Sequence, residues 1–130
     1  MKSAVRRSGF ALLCLGLGSV LCTAASAQDA AANARGKPLF QQKCQPCHGT
    51  EPSDAGRAML PGTDALRIKY RGSLPAALEQ RKDLTPEAIK VFVRRGSWSM
   101  PPFRKSELSD RDIADIAAYI AVTAGGGSLR

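Results

Sequence analysis

The sequence predicts an all-α domain. Two segments open with complete helix-start grammar and continue with apolar residues at helical spacing. No segment shows the two-residue alternation of a half-buried strand. A third segment, upstream, carries the chemistry. The leader comes first: Met1 to Arg7 holds Lys2, Arg6 and Arg7 with no acid, and an apolar stretch runs from Phe10 to about Leu21. Ala25-Ser26-Ala27 then supplies the small-x-small pattern of a secretory cleavage site. Residues 1–27 are therefore expected to be removed, leaving one domain over 28–130 that begins at Gln28. The apolar run is short for a membrane span. Leu13 and Leu21, not small residues, precede Cys14 and Cys22, so neither cysteine suits a lipid anchor. No stable membrane anchor should survive cleavage, and the product should be exported to the periplasm.

The first helix of the mature chain is expected from about Ala31 to Cys47, with Gly36, Phe40, Lys43 and Cys44 on neighbouring turns and Pro46 near its end. A long loop should follow from Gly49 to about Leu74. Leu84-Thr85-Pro86-Glu87 announces the second helix. Thr85 is a good N-cap, Pro86 is preorganised for the first helical position, and Leu84 and Ile89 have staple spacing. Ile89, Phe92 and Val93 form its apolar stripe, and Gly96 stops it after Arg94 and Arg95. The third helix repeats the pattern with Leu108 and Ile113 as staple, Ser109 as cap and Asp112 as capping-box acid. Ile113, Ile116, Ala117 and Ile120 lie on one face, and Gly125-Gly126-Gly127 ends it.

Cys44-Gln45-Pro46-Cys47-His48 is the attachment signature of a c-type haem, and His48 is the single histidine of the chain. Two thiols three positions apart on a helical turn project to one side, where both can add to the vinyl groups of one porphyrin. The imidazole, four positions after Cys44, lies on that side as a proximal ligand. Two other readings of the cysteine pair were weighed. A structural zinc site normally takes four Cys or His ligands, and the mature chain offers three. A redox dithiol is expected beside a strand–helix unit, whereas the stretch from Ala30 to Lys43 reads as helix. With the leader gone, Cys44 and Cys47 are the whole thiol inventory of an exported chain, which suits a pair committed to a cofactor. The mature part is poor in aromatics, so an attached porphyrin would also supply an apolar centre that a domain this small lacks.

The sixth iron ligand separates the functions. Met100, in Trp98-Ser99-Met100-Pro101-Pro102-Phe103, lies between the second and third helices. The two prolines stiffen its loop and bias its backbone to an extended form, a low-entropy way to hold a thioether on a metal. The alternative for Met100 is gap-filling core. Met59 follows His48 closely and is read as packing.

These features resemble a small class I cytochrome c: the Cys44-to-His48 motif, a later Met-Pro, and a terminal helix bearing an aromatic. The resemblance implies three main helices packed around one covalently bound haem. It implies that Gly36 and Phe40 on the first helix cross the last helix at Tyr119. It also implies that a proline carbonyl, best matched by Pro61, fixes the ring N–H of His48. More narrowly, Lys69-Tyr70-Arg71-Gly72, Leu84-Thr85-Pro86 and Met100 to Lys105 through Ser109-Asp110 are similar to the cytochrome subunits of flavin-dependent alkylphenol (4-cresol type) dehydrogenases. That likeness implies a flavoprotein subunit as electron donor.

A His48/Met100 pair would saturate the iron, which argues for a one-electron carrier rather than an enzyme. A free carrier shuttling electrons to a terminal oxidase is the alternative. A haem enzyme or sensor would need Met100 to be mere packing. The leader holds three of nineteen Lys and Arg and none of eleven acids, so the mature chain carries a formal charge of +5. Arg94, Arg95, Arg104 and Lys105 flank the methionine loop, and Arg67, Lys69 and Arg71 cluster in the long loop. They read either as a solvated surface or as a basic rim that steers an acidic redox partner. Tyr70 and Arg71 are the candidates to neutralise haem propionates. Trp98 and Phe103 are candidates to wall the haem edge, with core packing as the alternative for each. Nucleic-acid binding is disfavoured, since no basic-aromatic array appears.

Overall fold

The computed structural model describes residues 18–50 and 59–125, with side chains from residue 28 onward. Among the described residues five α-helices and one 3-10 turn succeed one another: α1 Gly18–Lys43, α2 Gln45–His48, α3 Pro61–Tyr70, the turn Leu78–Gln80, α4 Pro86–Arg95 and α5 Asp110–Ala124. No strand forms among the described residues; one isolated antiparallel bridge joins Ser97 and Met100. The all-helical expectation holds. No helix among the described residues is long and apolar enough to cross a membrane. The leader up to residue 17, including Cys14, and the side chains of Cys22 and Ala25–Ala27 lie outside the described residues.

Helix α1 starts earlier than Ala31 and stops earlier than Cys47. The alanine-rich stretch around Gln28 has high helix propensity, which carries the backbone helix through it. At the other end Pro46 has no N–H to give to Gln42, so the helix breaks at Cys44 and restarts as α2 with Pro46 in its first turn. Pro38 sits inside α1 on an exposed position, and its missing N–H removes the bond to the carbonyl of Ala34, also an exposed residue.

The expected long loop from Gly49 to Leu74 is corrected by α3. Leu60 is extended, Pro61 occupies the first turn, Asp64 favours the positive end, and Arg67 and Lys69 favour the last turn. Arg71, with φ 48°, ends it in the left-handed region. Helices α4 and α5 match expectation at their caps. Thr85 accepts from the Ala88 N–H at 3.2 Å. Ser109 and Asp112 complete a reciprocal capping box, at 3.1 Å and 2.8 Å. Gly96 closes α4 with φ 69°, a conformation that favours glycine.

The core is built on α5. Ile113, Ile116 and Ile120 are buried with Phe40 from α1, Leu108, and Ile89 and Val93 from α4. The α1–α5 crossing is a backbone contact. A Cβ on Gly36 would stand 1.9 Å from the Asp115 carbonyl oxygen. One turn later the Phe40 and Tyr119 rings meet at 5.2 Å, tilted by 45°. Arg35 clasps the buried Asp115 carboxylate with two hydrogen bonds of 2.8 Å. The Tyr119 hydroxyl donates to Glu79, which draws the 3-10 turn onto α5. Burial, and then Glu79, push the phenol's proton affinity up.

Because no rearrangement short of separating the helices admits a methyl group at 36, Gly36→Ala is expected to destabilise the domain by about 3 kcal/mol. Denaturant unfolding of the purified protein measures this; an unchanged midpoint would disprove the close crossing.

Candidate functional site

Cys44, Cys47 and His48 share one tight turn. The Phe40 carbonyl accepts from the Cys44 N–H at 2.8 Å, which continues the register of α1. The Cys44 carbonyl then accepts from Cys47 at 3.1 Å and from His48 at 2.8 Å. The turn therefore presents two thiols and an imidazole from one rigid unit. Both cysteines are free thiols; Cys44 is half-buried and Cys47 exposed. Burial, and then the neighbouring Cys47, push the Cys44 thiol up to about 11. Burial also lowers the proton affinity of His48, which favours the neutral ring that a metal requires.

Helix α3, absent from the sequence reading, backs the imidazole. A Cβ on Gly62 would lie 2.7 Å from His48 Cε1, 2.9 Å from its Nδ1 and 2.8 Å from the Cys47 carbonyl oxygen. Only a bare backbone fits there. Thr63, buried beside it, donates from Oγ1 to the Gly49 carbonyl at 2.8 Å and staples α3 to the end of the motif turn. Pro61 starts this helix and so brings Gly62 to the ring. His48 Nδ1, the atom expected to meet the Pro61 carbonyl, is buried without a hydrogen-bond partner among the described residues. Local sequence does not mark Gly62 for this role, since Pro-Gly is equally at home in a turn. The half-buried Met59 precedes this segment.

Met100 is half-buried and packs against the same apolar cluster as Cys44 and Phe103. Its own peptide is fixed by reciprocal bonds with Ser97, at 3.0 Å and 2.9 Å. A Cβ on Gly96 would stand 2.5 Å from the Met100 carbonyl oxygen, so the loop folds back tightly on the end of α4. Phe103 joins the core cluster, as its packing alternative expected. Trp98 does not: it is 103% exposed, at φ 52°, so the packing alternative fails for it.

The basic residues divide. Arg94 is corrected from rim to interior: its side chain is 18% exposed and is spent on Phe103, Leu108 and Asp110. Arg67 pairs with Asp64 at 2.8 Å. Arg71, Arg95, Arg104 and Lys105 are exposed. Tyr70 lies under the Arg81 guanidinium, 4.5 Å from its ring centroid, with Lys69 also within reach at 5.3 Å. Arg81 is buried and makes two bonds of 2.6 Å to Asp83. Nothing in Gln80-Arg81-Lys82-Asp83 distinguishes this cation from a solvated one, so it went unnoticed in the sequence.

The donor set fits a covalently attached haem: two free thiols and a neutral imidazole on one turn, a glycine cradle behind the ring, and a fixed thioether on the same cluster. No cluster of three or more His, Cys, Asp or Glu suited to a bare metal ion occurs among the described residues.

Residues 31–120 match the family model described as cytochrome c oxidase, cbb3-type, subunit III. The chain is 35% identical over 99 residues to a cytochrome c6 of Picosynechococcus sp., covering 76% of this chain and 77% of that protein. It is 33% identical over 94 residues to a cytochrome c6 of Cyanidioschyzon merolae, covering 72% and 77%. It is 30% identical over 120 residues to cytochrome c-555 of Methylococcus capsulatus, covering 92% and 83%.

Gly62→Ala is expected to push the imidazole off its seat and to cost about 1–3 kcal/mol, the usual range for overpacking. Urea unfolding of the haem-loaded protein reads the loss. Retention of the wild-type midpoint would show that α3 does not bear on the ring.

Proposed function

The chain belongs to the class I c-type cytochromes, and we propose that Cys44 and Cys47 tether its single haem c while His48 and Met100 ligate the iron. The observation that carries this assignment is the motif turn, with its imidazole wedged against Gly62. The haem supplies a reversible one-electron couple at the iron. Every other part of the work falls to the protein. Gly62 and Thr63 hold the imidazole plane and the turn that bears it. The Ser97–Met100 bonds and the two following prolines hold the thioether, a soft donor that favours the reduced metal. His48 and Met100 together would leave no ligand position for oxygen or a substrate, which matches an electron-transfer protein rather than an enzyme. The propionates would be met by the Tyr70 hydroxyl and the Arg71 guanidinium, with Arg81, buried against Tyr70, as a further cation, and Trp98 and Phe103 would wall the haem edge.

The protein works outside the cytoplasm, in the periplasm, after cleavage behind Ala27. Exposed Arg95, Arg104 and Lys105 form a rim beside the methionine loop that draws acidic redox partners at rates that fall with salt. The donor is a flavoprotein dehydrogenase, with this chain as its cytochrome subunit; the Lys69–Gly72 and Met100–Lys105 likeness favours that reading. A free shuttle to a downstream redox protein or oxidase is the second reading, favoured by alignment over most of the chain with proteins named cytochrome c6 and c-555.

Replacing Met100 by alanine is expected to abolish the sulfur-to-iron charge-transfer band. It should also lower the midpoint potential by on the order of 0.1 V, a fraction of the roughly 0.8 V that axial ligands span. An unaltered spectrum would refute Met100 as ligand. Isolation from the native source distinguishes the partners: co-elution with a flavoprotein supports the subunit role, and a monomer with no saturable flavoprotein binding leaves the shuttle.

A further inference from the structure

The segment between α4 and α5 must hold Met100 in place although Pro101 and Pro102, which follow it, have no N–H to donate. Its first half is fixed by backbone: the Ser97–Met100 pair and the Phe103 N–H bonded to the Val93 carbonyl at 2.8 Å. Its second half has a local turn of its own, with Glu107 and Leu108 donating to the Arg104 carbonyl at 3.0 Å and 3.1 Å, and Arg94 is the side chain that ties both of its ends to α4. Arg94 donates from Nη1 to the Phe103 carbonyl at 3.0 Å, and from Nη2 to the Leu108 carbonyl at 2.8 Å and to Asp110 Oδ1 at 2.7 Å. Phe103, three residues after Met100, is thus gripped on both sides of its peptide by consecutive residues of α4. Asp110 also accepts from Lys90 at 3.0 Å. Arg94 and then Lys90 hold the Asp110 carboxyl down to about 2, so the anion that anchors the guanidinium persists at physiological pH. The Arg94 Nε is buried without a partner. The guanidinium therefore sits where its three acceptors require, not where all five of its donors are met.

We infer that Arg94 is the positioning residue for the distal ligand: it closes the Phe103–Asp110 arc onto α4 and so keeps the Met100 thioether from leaving the iron. This rests on Met100 being the axial ligand. The role needs the fork as well as the charge. A lysine at 94 could keep the ion pair with Asp110 but could not span two carbonyls and a carboxylate from one rigid plane.

The test uses the haem-loaded ferric protein, with cyanide as the probe of a displaced methionine. Wild type is compared with Arg94→Gln, Arg94→Lys, Asp110→Asn and, as a control for general destabilisation, Arg35→Ala, which breaks the α1–α5 clasp far from the loop. Both Arg94 variants are expected to bind cyanide about tenfold faster or more and to weaken the sulfur-to-iron band, the factor that accompanies loss of one or two hydrogen bonds from the closed loop. Arg94→Lys should not restore the wild-type rate, and Asp110→Asn should fall between. Arg35→Ala should lower the unfolding midpoint and leave the cyanide rate within about twofold of wild type. Wild-type cyanide rates in both Arg94 variants, or an equal acceleration by Arg35→Ala, would overturn the inference while leaving Met100 as ligand. A wild-type protein that lacks the band and binds cyanide at once would overturn the ligand assignment itself. Should Arg94→Gln not fold, Arg94→Lys and Asp110→Asn decide the matter.

Discussion

The close approach of Gly36 to the Asp115 carbonyl is the constraint on which the rest depends. It lets α1 lie directly on the backbone of α5, and this fixes the axial position of α1. From there the consequences follow turn by turn. Phe40 lands on Tyr119, and Cys44 is hydrogen-bonded to the Phe40 carbonyl. The motif turn is therefore referenced to the core through the last turn of α1, which hands over to α2 at Cys44. Tyr119, held from below by Phe40, reaches Glu79 with its hydroxyl and sets the level of the 3-10 turn. Arg35 and Asp115 lock the same crossing with a charged pair whose acidic member is buried. A side chain at 36 would thus disturb the position of the thiols several residues away.

Two kinds of order meet at the site. The thiols and the imidazole are neighbours in sequence, so one turn of helix suffices to arrange them. The thioether arrives from a distant segment and is arranged by tertiary bonds: Gly96 for the sharp departure, Ser97 for the local bridge, Arg94 for the return. This division suits an electron carrier. Its coordination sphere should change little between oxidation states, and a loop with few free torsions resists such change.

Much of this was legible in the chain. Thr85-Pro86 and Ser109 with Asp112 specify their helices by local capping chemistry that tertiary contacts do not override. The Cys44-to-His48 motif carries its own geometry. What escaped was tertiary in origin. Helix α3 buries little apolar surface, with Thr63 its buried member; its stripe is therefore faint, and Pro61-Gly62 imitates a turn. Gly62 has meaning only once α3 is known to lie against His48. Arg94 and Arg81 look like surface cations until their acceptors are found. For Arg94 these are backbone carbonyls well downstream, which no residue pattern encodes. The α1 boundary shifted for a simpler reason, since Pro46 breaks a hydrogen bond four residues before itself.

Trp98 is the chain's single tryptophan, and it stands clear of the surrounding protein on the same short turn as Met100. The molecule thus carries a single indole, on the turn that bears Met100. Any macromolecule that covers this turn must take the indole out of water, so association there should announce itself as a change in emission colour without an added label.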